Sequence, residues 1–408
     1  MRCLSSRAIL LHRIRTVLAL IRDLLYALLS ECIRFAVAAE LADRDVCLVL
    51  KLDALGDQII WLSSGARNIS EFCRKNYRET VFLTRLEHEK FYAALQLFDQ
   101  VWALDAHRFR HSLPYRLHWL ARLRRHGFSH VLQLRLAREF LQEDLIVSAL
   151  RVGDSRTPAG DLRNMRNWQQ RFSRRWYAKT YPVASAMSAR HELERNRSLA
   201  LAITGDVAVL AHRIEVPVSA QPLPASKYYV LAPGAGWAPR RWPPRNFVCV
   251  VRLLQEHFPD YRCILAGSAS EAELCRDIAD QTGAQDHCGK STIMDLMQLI
   301  QSAAFVIANE SATAHIAAYL QVPSIALLGG GHYGWFMPYP STWAGLTPPR
   351  VAVHTMDCFG CNWRCPYLSA AQATVPCIDN IAPQQVIRLA GEVIGGPECQ
   401  PAFAAPPG

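Results

Sequence analysis

Short runs of wholly apolar residues recur along this chain, each ending in a polar turn that leads into a stretch with helical spacing. "VCLVLKL" at 46–52 is one of them. Nothing in it alternates, so a strand there needs cover on both faces, as strands of a parallel sheet have. "QIIWLSSGARNISEFCRKN" after it predicts a helix and "TVFLT" a second strand. "FDQVWALD" and "SHVLQLR" add two strands, with "LPYRLHWLARLRRHG" as a helix between them. Strand alternating with helix predicts an α/β fold with a parallel, helix-covered sheet. The rhythm breaks over the basic stretch 151–197, which runs into the helix-like "HELERNRSLALAI".

The same rhythm then restarts. "KYYVLAP", "RCILAG", "FVIAN" and "PSIALLGG" read as strands, and "RNFVCVVRLLQEHF", "ASEAELCRDIADQTG", "IMDLMQLIQSA" and "ATAHIAAYLQ" as helices among them. Between the two series, residues 205–226 ("GDVAVLAHRIEVPVSAQPLPAS") are poor in helix signals and Pro-rich at their end, which marks a linker. Two α/β units follow. Ligands of such units meet the carboxyl ends of the strands, so a cleft between the units is the expected place for one. A chain of 408 residues, half of them hydrophobic, is long enough to build both cores.

The net charge of +10 suits an anionic partner without choosing among phosphorylated ligands, lipid headgroups and nucleic acid. Much of the excess is arginine between Arg108 and Arg197, which serves equally well as a solvated helix face. No RRM, KH or similar module accompanies it, so nucleic acid is not the expected partner. Thirteen cysteines spread along a chain of this length do not make a small secreted disulfide scaffold. The first forty residues have leucines and arginines at helical period, uncharged stretches too short to span a bilayer, and no signal-peptide order. An amphipathic helix of this kind either packs on the body of the protein or makes a peripheral membrane contact through residues 1–40. The expected location is the cytoplasm, with any membrane contact peripheral and at the inner membrane.

Four strand-to-helix turns carry residues suited to chemistry. In Asp53-Ala-Leu-Gly-Asp57, Gly56 lets the backbone turn closely, and Asp57 opens the helix either as a capping acid or as a group facing a ligand. In "APGAGWAPRRWPPRNF" (232–247), small residues leave room and Arg240 and Arg241 bring charge to a helix start, a place to hold phosphate. In Gly267-Ser-Ala-Ser-Glu271 the acid suits ribose hydroxyls, or simply the helix dipole. In Asn309-Glu-Ser-Ala-Thr-Ala-His315, Glu310 and Ser311 stand at a helix N-terminus with His315 about one turn in, a ready diphosphate site. "GAQDHCGKST" (283–292) imitates a P-loop, but five residues separate its glycines and it follows a helix, which excludes an ATPase reading. Cys358, Cys361, Cys365 and Cys377 could supply thiolates to zinc or an iron–sulfur cluster, form disulfides, or stay free.

In order, "KLDALGD", "HELERN", "APGAGWAPRRWP", "LAGSASEAE", "CGKSTIMDLMQLIQSA", "ANESATAHIAAYLQVPSIALLGG" and the tail from Cys377 to Val386 resemble glycosyltransferase family nine, the bacterial heptosyltransferases of lipopolysaccharide assembly. The resemblance covers roughly residues 46–395. It implies a GT-B architecture of two Rossmann-like domains, an acceptor domain at 46–222 and a nucleotide-sugar donor domain at 223–395 with a Cys-rich segment at 358–377, after a helical extension at 1–45. It implies inverting transfer of a sugar, typically heptose from ADP-heptose, to an anionic saccharide or lipid-linked acceptor, with no cofactor and no catalytic metal. By the same resemblance Asp57 is the general base. Arg240 replaces a usual Lys facing the donor diphosphate. Glu310 and Ser311 match Asp/Glu and Ser/Thr, Ala312 replaces a frequent Gly, His315 matches a His, and Glu271 matches an acid near the donor ribose. Arg for Lys keeps the charge with another geometry, and Ala312 adds a methyl where close approach is wanted. A GT-B protein using another nucleotide-sugar, and a non-catalytic nucleotide-sugar or nucleic-acid binder, are the alternatives.

Overall fold

The computed structural model describes residues 6–39, 45–162, 164–183, 191–205, 215, 222–341, 343, 345–369 and 372–395, the side chains of 6–13 and 15 excepted. Most of the linker at 205–226 thus lies outside the described residues. The chain forms two compact units. One comprises Met1–Asp53, Arg67–Val183 and Ser198–Val207, the other Ala54–Ala66, Ala184–Arg197 and Ala208–Gly408.

The first unit is built on strands β1 (Val46–Leu50), β2 (Glu79–Arg85), β3 (Gln100–Leu104), β4 (His130–Gln133), β5 (Asp154–Pro158) and β6 (Lys179–Tyr181). They lie in the order β3-β2-β1-β4-β5-β6, all parallel. Every residue of β1 is buried, as its unbroken apolar run requires. β5 and β6 fall inside the basic stretch where no strand was expected. "KTY" is the sheet edge, where a charged side chain guards an open ladder, and "DSRTP" is the strand paired beside it.

One predicted helix is two. α2 (Leu55–Leu62) and α3 (Ala66–Asn76) part at Ser63-Ser64-Gly65. The Ser63 and Ser64 hydroxyls donate back to the Ile59 and Ile60 carbonyls at 2.8 and 2.6 Å, and the Ser64 and Gly65 amides both close on the Trp61 carbonyl. Serine side chains that compete for helix carbonyls loosen the last turn.

α1 (Ser6–Ala36) packs on the first unit through Asp23, Tyr26, Ala27 and Ser30, all buried. The Arg116 guanidinium lies 4.5 Å from the centre of the Tyr26 ring, and Gln169 donates to Asp23 at 3.2 Å. Its leucine stripe faces outward instead. Ile14, Val17, Leu18, Ile21, Leu24, Leu25, Leu28 and Phe35 are exposed, Leu18 and Leu28 by 60% and 62%.

The second unit repeats the topology with β7 (Tyr228–Ala232), β8 (Arg262–Leu265), β9 (Gln285–Asp286), β10 (Val306–Asn309), β11 (Ser324–Leu327) and β12 (Arg350–Ala352), in the order β12-β11-β10-β7-β8-β9. Both sheets therefore have the doubly wound Rossmann order, with the switch point between β1 and β4 in one and between β7 and β10 in the other. The second core gathers Tyr229, Leu231, Trp242, Phe247, Phe305 and Ile378.

Candidate active site

β7 and β10 pair at the switch point of the second unit, and the turns after them carry most of the residues singled out above. Asn309, the last residue of β10, is fully buried and ties the two turns together. Its amide donates to the Pro233 and Gly234 carbonyls at 2.6 and 3.3 Å, and its carbonyl accepts from the Trp242 amide at 3.2 Å. Between those anchors the chain swings Arg240 back over the strand end. Its Nη2 donates to the Glu310 carbonyl at 3.0 Å and pairs with the Glu310 carboxylate at 3.2 Å. Burial pushes the Glu310 carboxyl up in pKa, and Arg240 offsets part of that.

The helix Ala312–Tyr319 starts here with Ser311 in the N-cap position, yet its hydroxyl makes no capping bond. Ser311 Oγ and Arg240 Nε are buried without hydrogen-bond partners among the described residues. Buried donors left idle beside a helix N-terminus suit an anionic ligand that completes them.

His315, one turn in, is buried, and a hydrogen bond of 2.6 Å joins its Nδ1 to the Tyr339 hydroxyl. His191 packs edge-on against the same tyrosine at 5.2 Å and bonds the Phe336 carbonyl at 2.8 Å. Burial, with His191 and Arg240 adding to it, holds the His315 pKa down at about 3, so the imidazole is neutral at neutral pH.

Asp57 is not the N-cap. That position belongs to Ala54, and Asp57 sits in the first turn of α2, half-buried, where the helix dipole favours a carboxylate. Its turn abuts the N-terminus just described. A Cβ added at Gly56 would stand 3.4 Å from His315 Cδ2 and 3.7 Å from Ala312 Cα. Glu271 approaches from β8. Its Oε2 accepts from the Ser268 amide and hydroxyl at 2.8 Å, a capping role. Its Oε1 fills the space above Gly234, lying 1.7 Å from where a Cβ would be, so that glycine cannot be replaced without moving the acid. The turn carrying Asp57, together with Arg240, Glu271, Glu310, Ser311, Ala312 and His315, thus forms one connected patch of the second unit.

The late cysteines behave differently. Cys377 is buried and the other three half-buried, and burial raises the Cys358 and Cys377 thiols in pKa. Among the described residues only Cys275, Asp286 and Cys288 bring three metal-ligating atoms within 4.8 Å of one another, and there the two sulfurs form a disulfide. Tyr339 and His191 carried no expected role, and Asn309 was expected only as one of the polar residues of the diphosphate turn at its strand's end. Each works through packing or backbone bonds that only the folded chain defines; the polar Asn closing an apolar strand was the signal available.

The family model for glycosyltransferase family 9 (heptosyltransferase) matches residues 163–346. No curated protein matches the chain in sequence. Among solved structures, a family 9 glycosyl transferase from Veillonella parvula shares 16% identity over 87% of this chain and 99% of its own, with a TM-score of 0.61. ADP-heptose lps heptosyltransferase II of E. coli is 16% identical over 85% and 98%, with a TM-score of 0.58. E. coli heptosyltransferase WaaC with ADP-2-deoxy-2-fluoro heptose is 16% identical over 75% and 92%, with a TM-score of 0.53. Sequence motifs in family order, a family model matching residues 163–346 and two Rossmann-ordered sheets of the GT-B kind agree, and the chain is a glycosyltransferase similar to the family-nine heptosyltransferases.

Proposed function

We propose that this protein transfers a heptose from ADP-heptose to a lipopolysaccharide-type saccharide acceptor, with inversion and without a catalytic metal. Residues 223–395 act as the donor domain and 46–222 as the acceptor domain. The observation that supports this most is the meeting of the Gly56-Asp57 turn with Ala312 and His315, beside the Arg240–Glu310 pair. The Asp57 carboxylate takes the proton of the acceptor hydroxyl as that oxygen bonds the anomeric carbon from the face opposite the diphosphate. The glycosidic C–O bond to phosphate breaks, and the departing nucleoside diphosphate is stabilised by Arg240, Ser311 and the N–H groups that open the helix at Ala312. Glu271 receives donor ribose hydroxyls, and His315 stays neutral and buried behind the phosphate turn. A structure of a fold-mate with an ADP-heptose analogue supports the choice of donor.

Asp57→Asn leaves the turn and its charge-free shape intact but removes the base. Turnover of ADP-heptose with a saccharide acceptor is expected to fall by about 10²–10⁴ with donor affinity nearly unchanged. Undiminished turnover would remove Asp57 from the role. The same assay across ADP-, UDP- and GDP-sugars decides the donor, a question the Arg240 and Ala312 replacements make specific to this chain.

A second element of the proposal concerns α1. No helix among the described residues is long and apolar enough to cross a membrane. A peripheral contact with an anionic lipid surface is supported by the outward apolar face of α1 and by the positive charge of the chain. Such a contact would hold the enzyme, on the cytoplasmic face of the inner membrane, beside a lipid-linked acceptor.

A further inference from the structure

The Cys-rich segment lies against the donor turn, and the means of attachment is unusual. Gly329-Gly330-Gly331 follow β11, and a Cβ on any of them would collide with an aromatic ring. At Gly330 it would stand 2.1 Å from Phe359 Cδ1, and at Gly331 2.3 Å from Trp363 Cδ2. Backbone bonds lock the seat: the Gly360 amide donates to the Gly330 carbonyl at 2.8 Å and the Asn362 amide to the Gly331 carbonyl at 3.0 Å. Asn362 and Trp363 both take left-handed backbone at φ 51° and 60°, a conformation non-glycine residues resist and one that gathers at functional sites. His332 bonds the Asn362 side chain at 2.7 Å and packs edge-on against Trp363 at 5.8 Å.

What this effort presents is an indole face. The Arg240 guanidinium lies 4.6 Å from the centre of the Trp363 ring, while its Nη2 pairs with Glu310. Trp237, from the donor turn itself, closes on the same indole at 6.2 Å. Arg240 is therefore held in a slot between an aromatic face and a carboxylate, with Nε idle. An arginine has many rotamers, and one confined in this way meets a phosphate without first losing them.

We propose that Trp363 is a positioning residue for the donor site: its indole holds the Arg240 guanidinium in the orientation that receives the donor diphosphate. The Cys-rich segment is then a working part of that site. The proposal rests on the donor reading given above and deepens it.

The test is calorimetric titration with ADP and with UDP, then steady-state kinetics with the sugar donor that binds. Trp363→Leu is expected to weaken nucleoside diphosphate binding about fivefold and, because Arg240 also stabilises the departing diphosphate, to lower kcat as well as raise donor KM, and Trp363→Phe to retain most of the affinity. Gly331→Ala, which evicts the ring from its seat, should reproduce the leucine variant. In an Arg240→Ala background Trp363→Leu should cost nothing further, because the group it acts on is gone. Circular dichroism checks that each variant folds; should the leucine variant fail, the phenylalanine and Gly331 variants carry the comparison. Wild-type affinity in folded Trp363→Leu, or full additivity with Arg240→Ala, overturns the proposal and leaves the donor reading standing. Absence of binding of either nucleotide to the wild type overturns both.

Discussion

Asn309 commits its whole side chain to backbone, with both hydrogens of the amide on the β7 turn and its oxygen on the Trp242 amide. It touches no ligand in the proposed mechanism, yet it fixes the path that delivers Arg240. Asn309→Ala would leave two carbonyls and an amide buried and unpaired, at about 1–3 kcal/mol for each group stranded. The expected result is a loss of about 3 kcal/mol in urea unfolding, with donor KM rising because the turn is released. Stability equal to the wild type would mean that water replaces the side chain. Asp57 was legible in the sequence as the acid of a Leu-Gly-Asp turn, and Arg240, Glu310 and His315 as polar residues at strand ends. Tyr339 and Trp363 were not, because each reaches the site across more than twenty residues of chain and stands in no periodic pattern.

At the scale of elements, legibility followed burial. β1, β7 and β10 are buried on both faces and announce themselves by unbroken apolar runs. β5, β6, β9 and β12 are short edge or near-edge strands, and their polar residues carry no such signal. The α2–α3 break was hidden for another reason: the apolar spacing continues through it, and two serine hydroxyls decide the matter locally. α1 is the element whose orientation was not determined by the spacing of its leucines and arginines. A stripe of small and polar residues faces the protein, and the leucines face out. Replacing Leu18, Leu25 and Leu28 together by serine should abolish co-sedimentation with vesicles containing anionic lipid while leaving thermal stability within a few degrees of the wild type. Sedimentation that is equal for both proteins would remove α1 from that role, and a wild-type dimer that the triple variant dissolves would assign the face to a second copy.

At the scale of the whole molecule, three buried histidines among the described residues contribute to the response to acid. Burial lowers His88 and His191 to about 4 and His315 to about 3, so all three are neutral in the folded state. In the unfolded chain they take up protons near pH 6.5. The unfolded state thus binds more protons below that point, and folding stability falls as pH drops from about 6.5 toward 4. Each histidine contributes up to roughly 1.4 kcal/mol per pH unit inside that window. Urea unfolding at pH 7.5, 6 and 5 should show the decline, and His315→Gln should flatten it; a midpoint constant across this range would contradict neutral burial. His88 belongs to one unit and the other two to its companion, so the loss is shared by both cores.

Two halves with the same strand order invite the thought that either could be exchanged among relatives by cutting at the linker. The chain is not divided that way. Ala54–Ala66, which contains α2, leaves β1 and joins the second unit, with Gly56 against the helix that begins at Ala312. A hybrid spliced near residue 220 would therefore inherit its proposed base from one parent and the surface that base's helix must fit from the other. Residues 208–408 expressed alone should bind a hydrophobic dye where Ile59, Ile60 and Trp61 are missing, and a peptide of residues 54–66 should quench that signal. The inheritable module is discontinuous, and variation at the Leu-Gly-Asp turn is constrained to track variation some 250 residues away.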